Sequence, residues 1–137
     1  MKSIQPVFLI SFIISLVLHV LILFTIYFPS TIVTIILTVG MFASWLYVSN
    51  TFKDLSGENK DFHIMQYLQK LTPTFKFSLL FFALYAFLNF AYTLSFDSNA
   101  GWVDFDLGYD KLRGISGFWM FLYFLAFNMA YLQGKKN

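Results

Sequence analysis

Residues 7–28 read VFLISFIISLVLHVLILFTIYF, an apolar run relieved only by hydroxyl side chains and by one histidine, His19. At about 1.5 Å per residue the run reaches ~33 Å, enough to cross a bilayer's hydrocarbon core. Lys2 precedes it, as in a signal peptide. The run is longer than the roughly 7–15 residues of a signal-peptide core, and no small-residue cleavage site follows it. It reads as an uncleaved first span, ended by Pro29, with Ser30 or Thr31 to cap the next helix.

The rest of the composition agrees. Hydrophobic residues make up 58% of the 137-residue chain, 19 residues are Phe, and only 12% are charged. Soluble domains carry roughly 25% charged residues, so these charges are too few to clothe a water-facing surface. The net charge of +2 makes no nucleic-acid patch. There is no Cys, which removes disulfides, thiol relays, thiolate metal sites and cysteine nucleophiles together.

Three more spans follow, at about 32–49, 77–96 and 114–131, giving a single transmembrane domain over 1–137. The expected fold is an all-α integral membrane protein, a bundle of four transmembrane helices. Spans one and two are joined by a few residues and are expected to pack as a tight antiparallel hairpin. Thr34 with Thr38, and Gly40 with Ser44, are four apart, a spacing that lets helices approach closely in lipid. Trp45 and Tyr47 suit an interfacial belt at the end of span two. Between spans two and three, Phe62, Met65, Leu68 and Leu71 recur at three-residue spacing, which predicts a short cytoplasmic amphipathic helix, either on the membrane surface or packed on the bundle. Thr72-Pro73 ends it, and Gly134 is a plausible stop for the last span.

Lys2, Lys53, Lys60, Lys70, Lys76, Lys135 and Lys136 fall on one side of this topology, with Lys111 and Arg113 on the other. The positive-inside rule then puts both termini in the cytoplasm. A bacterial inner membrane is the expected location.

Candidate sites are three. Ser11, Ser15 and His19 make one polar stripe on span one. Counting depth along the spans puts His19, Thr38, Asn89 and Tyr123 at similar levels, so they are expected to form an intramembrane polar layer. An ionisable group at that depth is either a proton-sensitive or ligand-contacting site, or a neutral histidine fixing helix register. His63, the other histidine, lies in the cytoplasmic loop, so bis-His haem ligation within one chain is excluded. The second site is Arg113 at the outer interface, contacting an anion or headgroup, or pairing with Asp97 or Asp110. The third is the acidic outer loop. Trp102, Asp104, Phe105, Asp106 and Tyr109 suit a docking surface of apolar anchors among carboxylates. Residues 102–107 alternate as a short strand would. The spacing does not match a calcium loop, and neither a metal nor another cofactor is expected.

No Asp or Glu lies inside a span, which argues against a carboxylate-driven antiporter, and no nucleophile motif has an orienting acid. The expected function is therefore non-catalytic interaction: an accessory subunit, assembly factor or immunity-type protector that binds another membrane protein. The alternative is a small homo-oligomeric transporter or channel, its path lined by Thr34, Thr38, His19 and Asn89. An intramembrane enzyme using His19 would need a water-accessible cavity reaching that residue.

Overall fold

The computed structural model describes residues 4–27, 29–56, 64–96 and 109–136. Five helices are seen among them: α1 (Ile4–Leu23), α2 (Thr31–Ser56), α3 (Ile64–Lys70), α4 (Pro73–Phe96) and α5 (Tyr109–Lys136). The four long ones are each long and apolar enough to cross a membrane. No strand occurs among the described residues. The alternating stretch 102–107 lies outside them.

The helix starts follow local chemistry. Ser30 Oγ accepts from the Val33 amide at 3.4 Å, which caps α2 at its third residue. Pro73 opens α4, where a missing N–H costs nothing, and the Thr72 carbonyl accepts from the Lys76 amide at 3.0 Å.

The ends differ from expectation. α1 stops at Leu23, well before Pro29. The Ile26 amide donates back to the Leu21 carbonyl at 2.9 Å and the Thr25 amide to the Ile22 carbonyl at 3.0 Å. That pair is a Schellman turn, which needs a left-handed residue between them. Thr25 supplies it at φ 55°, an uncommon conformation for a β-branched residue. α2 runs past Ser49 to Ser56, so Trp45 stands within the helix rather than at its end. α5 continues through Gly134 to Lys136, since glycine alone does not stop a helix.

The expected tight hairpin of α1 on α2 does not form. The two touch only slightly, while α5 packs extensively against α1, α4 and α2. The connection is short as expected, but α5 takes up the faces the two helices would have shared. Ile22 of α1 and Leu37 of α2 meet Leu112, Trp119 and Tyr123 of α5 in one apolar cluster. A second cluster joins Val48, Tyr67, Leu71, Leu79, Phe124, Ala126 and Met129. The Phe124 ring lies 5.1 Å from both Phe12 and Phe82, centroid to centroid, so the phenylalanines interlock α1, α4 and α5. Such aromatic pairs contribute beyond their area.

α3 packs on the helices instead of standing apart. Its inward face includes Leu68 and, just past its end, Leu71, as the three-residue spacing suggests, together with Tyr67, which that spacing left out; Phe62 and the side chain of Met65 lie outside the described residues. Tyr67 and Leu71, four apart, are buried, Leu68 is half-buried, and Gln66, Gln69 and Lys70 are exposed. Three- and four-residue steps together mark one face of a 3.6-residue helix, which is how Tyr67, Leu68 and Leu71 share it.

Candidate functional site

His19 is 1% exposed, and both its ring nitrogens are engaged. Nδ1 lies 2.7 Å from Ser116 Oγ of α5, and Nε2 lies 2.6 Å from the Tyr85 hydroxyl of α4. The Ser116 hydroxyl in turn donates to the Arg113 carbonyl at 3.1 Å. One proton assignment satisfies every partner. Ser116 spends its hydrogen on the carbonyl, so it accepts from Nδ1–H. Nε2 then accepts from the Tyr85 O–H. The histidine is neutral in this arrangement and joins three helices through side chains alone.

Arg113 continues the set. Its Nε donates to Asn89 Oδ1 at 3.3 Å, and its guanidinium carbon lies 5.1 Å from the centroid of the Tyr92 ring. Asn89 Nδ2 donates to the Tyr85 carbonyl at 3.0 Å, and the Thr93 hydroxyl donates to the Asn89 carbonyl at 2.9 Å. The helices come this close because α5 is small here. A Cβ at Gly114 would stand 2.8 Å from Thr93 Oγ1, and one at Gly117 would stand 3.5 Å from the Ala86 Cα.

A second set binds α2 to α5. The Trp119 indole donates to Thr38 Oγ1 at 3.3 Å, and the Thr38 hydroxyl donates to its own helix at the Thr34 carbonyl, 2.7 Å away. The Tyr123 hydroxyl donates to the Leu37 carbonyl at 2.8 Å. It passes over Gly40, where a Cβ would overlap it. Gly40 thus admits a side chain of α5, whereas its spacing to Ser44 pointed to backbone approach. Ser44 is buried with its hydroxyl on the Gly40 carbonyl at 2.8 Å.

The four residues expected in one polar layer therefore fall into two groups. His19 and Asn89 belong with Tyr85, Arg113 and Ser116, while Thr38 and Tyr123 belong with Trp119. In the stripe on α1, Ser15 and His19 are buried and Ser11 is half-buried. The Ser15 hydroxyl has no hydrogen-bond partner among the described residues. Arg113 contacts Asn89 and Tyr92. Asp97, Trp102, Asp104, Phe105 and Asp106 lie outside the described residues, as do the side chains of Tyr109 and Asp110.

Sequence reasoning missed Tyr85, Trp119 and Asn128. Asn128 is fully buried, with Nδ2 on the Phe124 carbonyl at 2.8 Å. A lone amide amid apolar residues of a span was the available signal.

Among the described residues no three His, Cys, Asp or Glu side chains come together as a metal site would require. Compared with known protein families, curated proteins and solved structures, the chain finds no match, and its own geometry carries the functional reading.

Proposed function

We propose that the chain is a four-span integral membrane protein, with both termini cytoplasmic, that acts without catalysis by binding another membrane protein. The inner membrane of a bacterium is the proposed location. The observation that supports this is the use made of His19. The most chemically versatile side chain in the spans has both nitrogens bonded within one chain, so it joins helices. Asn89 and Ser116 in its own set, and Thr38 and Tyr123 in the separate set around Trp119, are spent the same way. What remains to meet a partner is the outer surface of α1, α2 and α4, where Val17, Ile36, Phe42, Phe81 and Leu84 are exposed. The lysines Lys53, Lys70 and Lys76, near the ends of α2, α3 and α4, support the cytoplasmic orientation.

A channel between copies has less support. Its path would need Thr34, His19 and Asn89 on the outer surface, and all three are buried within one chain.

The test is native mass spectrometry of the full chain extracted gently from its own host membrane. The expected result is a complex with a different protein that Phe42→Ala or Phe81→Ala weakens while helix content is unchanged. A homo-oligomer, or the lone chain under all extraction conditions, overturns the proposal.

A further inference from the structure

Arg113 is the only arginine in the chain. It stands two residues inside the membrane-length stretch of α5, which begins at Lys111. Asn89, its partner, stands four residues inside that of α4, which ends at Thr93. At 1.5 Å per residue these are depths of about 3 and 6 Å, close to where hydrocarbon gives way to headgroups.

The side chain is held in place but only partly used. Its Nε donates to Asn89 Oδ1, and the guanidinium lies over the Tyr92 ring. Asn89 is buried, and its Nδ2 is bonded in turn to the Tyr85 carbonyl, so the acceptor is fixed. One N–H and one face of the group are thereby committed. A guanidinium has five N–H donors in a rigid fork. The four on the two terminal amino groups have no hydrogen-bond partner among the described residues.

An amide and a phenol ring carry no charge to balance the arginine. The one carboxylate among the described side chains, Asp54, lies past Tyr47 on α2, and Tyr47 bonds Gln133 at the other end of α5. Arg113 is half-buried and Tyr92 is 47% exposed, so the pair faces outward rather than into the bundle.

Charge, geometry and depth select the ligand. A partly desolvated cation favours an anion over a neutral acceptor. A fork with two free amino groups matches two oxygens of one phosphate or carboxylate. At the edge of the hydrocarbon, phospholipids present a phosphate all round the molecule.

We infer that Arg113 binds the phosphate of one phospholipid in the leaflet at the N-terminal end of α5, through both terminal amino groups. Asn89 and Tyr92 are its positioning residues. This rests on the membrane placement proposed above and needs no protein partner.

The experiment is native mass spectrometry of the purified full chain in mild detergent. The chain is offered equal amounts of phosphatidylglycerol and monogalactosyldiacylglycerol, an uncharged lipid without phosphate, with identical acyl chains. One phosphatidylglycerol is retained per chain, with a preference of about fivefold, the factor one cation near a headgroup supplies. Arg113→Gln keeps a donor for Asn89 and removes the preference. Arg113→Lys keeps the charge without the fork and lowers the preference. Equal retention of the two lipids by the native chain overturns the inference. If Asp97→Asn with Asp110→Asn then creates a preference, the chain's own carboxylates fill the fork instead. A preference that survives Arg113→Gln, or is undiminished in Arg113→Lys, at unchanged helix content also overturns it. Loss of the preference in excess inorganic phosphate assigns the fork to a free anion and overturns the lipid reading. If a partner protein is retained without any lipid preference, this inference falls and the interaction reading stands. A phosphatidylglycerol preference in a chain that stays alone gives the reverse.

Discussion

α1 is the most apolar of the four long helices, yet only 17% of its membrane-length stretch is buried, against 56% for α5. In water the order would be reversed, since the greasiest helix would be hidden. In lipid, burying a leucine against another helix gains little, because the acyl chains are as apolar as the leucine. What gains from burial is whatever lipid cannot satisfy or cannot pack against closely. α5 carries those groups on several sides: Arg113, Ser116 and Asn128 need partners, and Gly114, Gly117 and Ala126 admit neighbours. α1 offers mainly Ser15 and His19 to the interior and turns Ile13, Val17 and Val20 outward.

The largest effect that would break this contrast is expected at Trp119, fully buried on α5. In soluble cores Trp→Ala costs about 3–5 kcal/mol, part of it transfer to water. With lipid as the solvent that part falls away, so Trp119→Ala should cost ~2–3 kcal/mol in unfolding titrations with denaturing detergent, from lost packing alone. A cost below that of an outer-face truncation would remove α5 from the centre of the fold.

Gly114→Ala comes next. Its new methyl would stand 2.8 Å from Thr93 Oγ1, and the forced separation of α4 from α5 should cost about 1–2 kcal/mol in the same titration. Thr93→Ala in the same chain should regain most of it, because the oxygen in the way is gone. Failure of that rescue would mean that the helix backbones, rather than this side chain, set the spacing.

The histidine bonds are worth less than their geometry suggests. A double-mutant cycle of His19→Ala with Tyr85→Phe should give a coupling of roughly 0.6–1.7 kcal/mol, the range for hydrogen bonds between spans. A coupling near zero would show that His19 packs without bonding. The smallest effect is on the outside. Ile36→Ala, at a residue 63% exposed, should move stability by no more than about 0.5 kcal/mol. A larger effect would put the outer face of α2 among the groups that hold the fold together.

The four long helices were legible because twenty-odd apolar residues without charge have few other uses. Thr72-Pro73 and Ser30 marked helix starts, because a cap and a ring-locked φ are local chemistry. The hub was not legible. α4 and α5 have equal mean hydropathy over their apolar stretches, and what separates them is how small and polar residues are distributed around the helix. Depth counting put His19, Thr38, Asn89 and Tyr123 at one level, but level says nothing of direction. Direction decides whether His19 meets Ser116 or Thr38. The end of α1 was missed because Thr25 adopts a conformation that glycine usually signals.

The central place of α5 has a consequence for synthesis. Helices α1, α2 and α4 precede it along the chain, and α1 and α2 hardly touch one another. If the chain inserts as proposed, emerging from its N-terminal end, His19 and Thr38 enter the bilayer before Ser116 and Trp119 exist to receive them. On that placement the first three long helices would wait, loosely associated, in the lipid. The arrival of the last span then gathers them in one closing step. Biogenesis of this chain is thus governed from its final quarter, and lesions there should lead to degradation of a whole set of otherwise sound helices.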